Sequence, residues 1–136
     1  MFYSFFSSIG VKMSLDEQLP IANWPTESSE YKVVQLQLDG NLHLRFAEEG
    51  WETHAVILMK LFSDRDIKYD KIVSRSECDV PALQGERYKI HGMGKSRVNV
   101  EQRQASFYGN SFDYGIGIDT KHLDSVRSLI NDWKLE

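Results

Sequence analysis

The sequence predicts an α+β domain: a mainly antiparallel sheet of about six strands, a C-terminal helix packed on one face, and a short helix near the N-terminus. Three observations predict it. Val34, Leu36 and Leu38 alternate with Val33, Gln35 and Gln37, the period of a half-buried strand. Asp39-Gly40 then supplies the positive-φ positions of a tight hairpin, and Leu42, Leu44 and Phe46 resume the alternation with His43 and Arg45 opposite. Near the C-terminus, Leu123, Val126, Ile130 and Trp133 recur at helical spacing, with Leu129 beside them.

A chain of 136 residues fits one domain and can bury a core without covalent staples. The opening stretch Phe2-Tyr3-Ser4-Phe5-Phe6 has no basic flank before Lys12, so it does not read as a secretory leader. Residues 1–12 read either as a first strand or aromatic plug of the fold, or as a flexible tail ahead of a start at Met13. Ser14 with Glu17 three residues on forms a capping box for a short helix that Pro20 stops. Residues 21–30 read as an extended link and polar loop.

Ala55 to Leu61 is apolar on both faces apart from Lys60, so it reads as a central strand covered on both sides. Ile67 to Val73 alternates weakly. Ser74 to Gly85 reads as loop, and Arg87 to His91 as a short strand that Gly92-Met93-Gly94 turns. Arg97 to Phe107 alternates again and reads as one strand with a solvated face, with a helix over Glu101 to Ala105 as the alternative. Phe112, Tyr114, Ile116 and Ile118 share a strand face, with Gly115 and Gly117 opposite, an arrangement that suits close packing of the last helix over the glycines. Asp119 or Thr120 caps that helix.

The chemistry-bearing patterns fail one by one. Gly92-Met93-Gly94-Lys95-Ser96 lacks the first glycine of a phosphate loop, whose place Lys89 holds. Asp64, Asp66 and Asp70 lack the calcium-loop glycine, since Tyr69 stands there. His43, His54, His91 and His122 are scattered without zinc-ligand spacing. Cys78 lies between Glu77 and Asp79, which disfavours its thiolate. No G-x-S-x-G elbow is present. No catalytic residue, metal or cofactor is therefore expected. An enzyme would need a site assembled only in the fold, with His54 or His91 beside a carboxylate.

The net charge of −4 is uneven: residues 1–60 carry −4, residues 61–97 carry +2, and residues 98–136 carry −2. An acidic whole argues against nucleic acid as the main partner and favours encounter with a basic protein surface. No run approaches a membrane span, and the lone Cys78 suits a reducing, cytoplasmic setting. Two stretches stand out as partner-binding candidates: Glu48, Glu49 and Glu52 around Trp51, and the turn with Asp64 and Asp66. An acidic rim around an exposed aromatic can anchor a basic partner. The competing reading is that Trp51 is core and the carboxylates keep an edge soluble. A second class of function, small-ligand binding, would use a pocket lined by Trp24, Trp51, Tyr108 or Tyr114. The sequence leaves the oligomeric state open.

In layout the chain resembles bacterial immunity proteins, notably those that protect against contact-dependent growth-inhibition toxins. The matching features are size, acidity, missing catalytic motifs, the aromatic start Phe2-Tyr3-Ser4-Phe5-Phe6 and the closing helix after Asp119. The resemblance implies a non-enzymatic inhibitor that binds one toxin domain, often a nuclease, and it carries over no functional residue.

Overall fold

The structure is a computed structural model and describes residues 19–136. The capping box at Ser14 and the aromatic start lie outside the described residues. Asp39 and Gly40 take φ of 50° and 85°, the two positive values of a type I′ hairpin turn, and join β1 (Ser29–Leu38) to β2 (Asn41–Phe46). Arg87 closes on the turn from outside, its guanidinium donating to both Asp39 oxygens at 3.0 and 2.8 Å, and holds the Asp39 carboxyl below its ordinary value.

The chain is α+β. A curled, mostly antiparallel sheet runs in the order β2-β1-β5-β6-β9, with β5 at Tyr88–Asn99, β6 at Gln104–Tyr108 and β9 at Lys134–Leu135. Two small two-stranded sheets pair β3 (Lys71–Val73) with β4 (Asp79–Pro81), and β7 (Asn110–Ser111) with β8 (Ile116–Gly117). Two helices, α1 (His54–Asp64) and α2 (Thr120–Arg127), complete the fold.

The sheet carries a core on each face. Val34, Leu36 and Met93 pack with Ile57, Leu58, Leu61 and Phe62 of α1. Val33, Leu44, Phe46 and Val98 pack with Leu123 and Val126 of α2. β1 is therefore an interior strand covered on both faces, with Val33, Val34, Gln35 and Leu36 all buried. Three histidines fasten separate pieces to this frame. His43 bonds the Pro20 carbonyl, His54 at the start of α1 bonds Gly94, and His122 of α2 bonds Leu36.

Several expectations are corrected. The stretch Ala55–Leu61 is not a central strand but part of the eleven-residue α1. Its alanine, leucines, methionine and lysine favour helix, Thr53 Oγ1 caps it by accepting from Val56 N–H at 3.2 Å, and its buried residues recur at helical spacing. Gly92-Met93-Gly94 is not a turn but the middle of β5. The extra residue there is His91, which bulges between the pairs Leu36↔Ile90 and Gln35↔Gly92. The expected single strand from Arg97 to Phe107 is two, broken by a turn in which Asn99 Oδ1 accepts the Gln102 N–H and Arg103 takes φ 54°.

The expected strand from Phe112 to Ile118 shrinks to β8, because a turn from Ser111 to Gly115 leaves Phe112 exposed. The last helix is not what approaches the glycines there. Gly115 faces the Arg75 guanidinium and Gly117 faces Gly109 and Asn110. Asp119 caps α2, accepting from Lys121 and His122 N–H at 2.9 and 3.2 Å, but the helix ends at Arg127. Ile130 and Trp133 join the same core from the segment beyond it, and the Trp133 ring stacks on Trp24 at 4.0 Å.

Candidate functional site

The two-residue turn at Asp39-Gly40 fixes the register of the hairpin, with Val33 opposite Phe46, and the ladder runs on through Ala47 N–H to the Lys32 carbonyl at 2.9 Å. That register brings Glu30 and Tyr31 at the start of β1, with Glu27 just ahead of it, beside Glu48 and Glu49 of the loop that leaves β2. Two adjoining clefts result, of about 480 and 400 Å³, sharing Glu27, Tyr31 and Ala47. Trp24 and Glu48 complete the first, while Glu30, Glu49 and Lys95 help line the second.

The loop is shaped by one inward carboxylate. Glu52 is 1% exposed. It accepts the Glu48 N–H at 3.1 Å and the Lys60 ammonium at 2.6 Å, while Lys60 also reaches Glu48 at 2.9 Å. The Glu52 N–H closes the turn onto the Glu49 carbonyl at 3.1 Å. With Glu52 turned in, its neighbour Trp51 is turned out and is 69% exposed. The Lys60 ammonium is held above its ordinary value chiefly by its bond to Glu52. Because Glu52 is dry and Glu48 is solvated, Glu52→Gln is expected to lower the thermal midpoint more than Glu48→Gln. Equal midpoints in a calorimetric scan would mean that the inward carboxylate does not hold the loop.

Of the predicted residues, Glu48, Glu49 and Trp51 are exposed on one loop, while Glu52 supports that loop from within. Asp64 ends α1 and Asp66 lies just beyond it, about 16 Å along the eleven-residue helix from its start. Asp64 meets Arg45, Glu48 and Lys60 only along a shallow groove. Asp66 closes the end of the helix with φ 54°. Glu27, Glu30 and Tyr31 were missed, although counting outward from the Asp39-Gly40 turn would have placed Glu30 against Glu49. Glu30 is flanked by Lys95 and Arg97 at 4.0 and 3.7 Å.

The aromatic set Trp24, Trp51, Tyr108 and Tyr114 does not converge. Trp24 packs with the α2-side core and Tyr114 with the α1-side core. His54 is consumed by its bond to Gly94 at 2.9 Å, and burial draws it below its ordinary value. His91 has a carboxylate beside it, Asp119 at 3.8 Å, and its Nε2 lies 3.4 Å from Gln37 Oε1. Cys78 is exposed in the turn between β3 and β4. Among the described residues no cluster of three His, Cys, Asp or Glu side chains could hold a metal ion. No helix among them is long and apolar enough to cross a membrane. Comparison with known proteins adds no family: no protein-family model matches the chain, and no curated protein matches it significantly.

Proposed function

We propose that this chain is a non-enzymatic inhibitor that binds a basic protein, most concretely a cytoplasmic bacterial immunity protein that neutralises a cognate toxin domain such as a nuclease. The observation that supports this reading best is Trp51, 69% exposed on a loop with Glu48 and Glu49. An isolated exposed tryptophan is costly to hydrate and is the residue type most enriched in binding hot spots. The carboxylates around it steer a cationic partner and disfavour an anionic one.

In this reading Glu48 and Glu49, with Glu27 and Glu30 across the clefts, form the rim. Trp51 is the anchor. Asp64 and Asp66 extend the acidic field along α1, and Glu52 acts by holding the loop. Trp24 and Tyr31 offer aromatic walls against which a lysine or arginine side chain of the partner can lie between Glu27 and Glu48.

The test is binding to the product of the adjacent gene, followed by surface plasmon resonance at several salt concentrations. The triple variant Glu27→Gln/Glu48→Gln/Glu49→Gln is expected to associate about tenfold more slowly at low salt and to lose most of its salt dependence. Trp51→Ala is expected to act on dissociation, speeding it at least tenfold. A partner that binds all these variants with wild-type kinetics would remove this face, and no complex at micromolar concentration would remove the reading itself.

A further inference from the structure

We propose that His122 is an acid-sensitive latch that holds α2 to β1 and releases it when the ring takes up a second proton. The geometry leaves no choice of tautomer. His122 Nε2 lies 3.1 Å from the Leu36 carbonyl oxygen, which can only accept, so that nitrogen carries the proton. Nδ1 faces the Gln35 amide nitrogen at 3.3 Å.

The amide cannot turn its oxygen round to face the ring. Gln35 Oε1 accepts the Asp119 N–H at 2.8 Å while Nε2 donates to the Asp119 carbonyl at 2.8 Å, so a flip would set oxygen against oxygen. Both Gln35 amide protons are then assigned, one to Asp119 and one to His122. A proton added at Nδ1 would meet a donor, in a residue that is 4% exposed.

The charged surroundings do not rescue it. From β5 the His91 ring lies 5.1 Å away, and from β2 His43 adds a further like charge if protonated. The carboxylate that faces the site, Asp119 ahead of α2, already caps Lys121 and His122 and lies 3.8 Å from His91. Lys121 itself is exposed. Burial is the largest influence on the ring and holds it neutral below the ordinary histidine value of 6.5.

The sign follows from that direction. With the ring neutral in place and ordinary once released, the latch is fully closed above about pH 6.5 and weakens as pH falls below it. Released, α2 keeps only its Asp119 cap, which is not enough to hold it helical: eight residues are too few for an isolated helix, and its Leu123 and Val126 would leave the core they share with Val33, Leu44 and Phe46.

Native-state hydrogen exchange tests this on the whole chain. Between pH 7.5 and 5.5, after correction for intrinsic rates, amides of Leu123 to Ser128 are expected to lose protection about tenfold, the shift that one proton of ordinary histidine affinity gives. They should remain less protected than β1 amides and respond little to low urea. His122→Gln should abolish this pH dependence, and His54→Gln should leave it. Unchanged protection of α2 across that range would overturn the latch. So would exchange of α2 and β1 with one shared free energy and urea slope, which would mean global unfolding only. Should His122→Gln not fold, ring 15N shifts of the wild type decide. The latch requires the Nε2–H tautomer at pH 7.5, lost in step with α2 exchange. A ring that titrates while α2 stays protected, or is already doubly protonated at pH 7.5, overturns it.

Discussion

Phe62→Ala is expected to lower stability by about 3–5 kcal/mol, the range for deleting a large aromatic from a closed core. Phe62 is 1% exposed, and its ring sits 4.4 Å from Tyr88 and 5.4 Å from Tyr69, where α1 meets the start of β5. Those rings come from three separate parts of the chain, so no single element can move in to fill the space. A small domain has about 5–15 kcal/mol in all, and the variant would keep only part of it. Urea denaturation followed by circular dichroism should show the midpoint falling with an unchanged slope. A loss below about 1 kcal/mol would mean that the α1-side core is loosely filled and that the helix assignment carries less of the fold than its burial implies.

Gly92→Ala is expected to cost about 3 kcal/mol, although it adds a single methyl group. A Cβ at this position would lie 2.2 Å from Gln35 Oε1, 2.7 Å from the Gly117 carbonyl oxygen and 2.8 Å from the Asp119 nitrogen. Two of those three atoms are backbone and cannot rotate away. Relief requires pushing β8 and the start of α2 off the sheet, which breaks the paired Gln35–Asp119 bonds at about 1 kcal/mol each on top of the overpacking. The control is Gly50→Ala, where nothing lies within 4 Å of the new atom. Equal melting temperatures for the two variants would show that the segment over Gly92 is free to shift, and would weaken the latch argument as well.

The contrast between these two positions explains what was legible in the sequence. The hairpin was legible because its determinants are adjacent: Asp39-Gly40 and the flanking alternation act over a few residues. The cap of the last helix was legible to within one residue, Asp119 or Thr120, for the same reason. Helix α1 was not, because the half-exposed side of Ala55–Leu61 carries the apolar Val56 and Met59, which hide the helical period, and Lys60 is the sole polar marker within that run. The glycines of β5 were misread because their purpose is non-local. Gly92 makes room for Gln35 and for the chain near Gly117, and Gly94 makes room for Tyr108 and Ile118. The acidic loop was legible as composition but not as geometry. The inward turn of Glu52 depends on Lys60, which reaches it only when residues 54–64 are helical.

The position of β1 has a consequence for how the molecule comes to be. Its longer ladder joins it to β5, from Leu38↔Tyr88 to Ser29↔Val98, across spans of fifty and sixty-nine residues of chain. Closing such spans precedes the reward of pairing, so folding should be slow for a domain of this length, nearer the timescale of all-β proteins than of helical ones. During synthesis the β1–β2 hairpin is made early, yet one whole edge of β1, flanked by Val33, Val34 and Leu36, stays unpaired until residue 99 has left the ribosome. Over that interval the nascent hairpin offers an apolar strand edge to any neighbour, and this is the stage at which chaperone protection or coexpression conditions would govern yield.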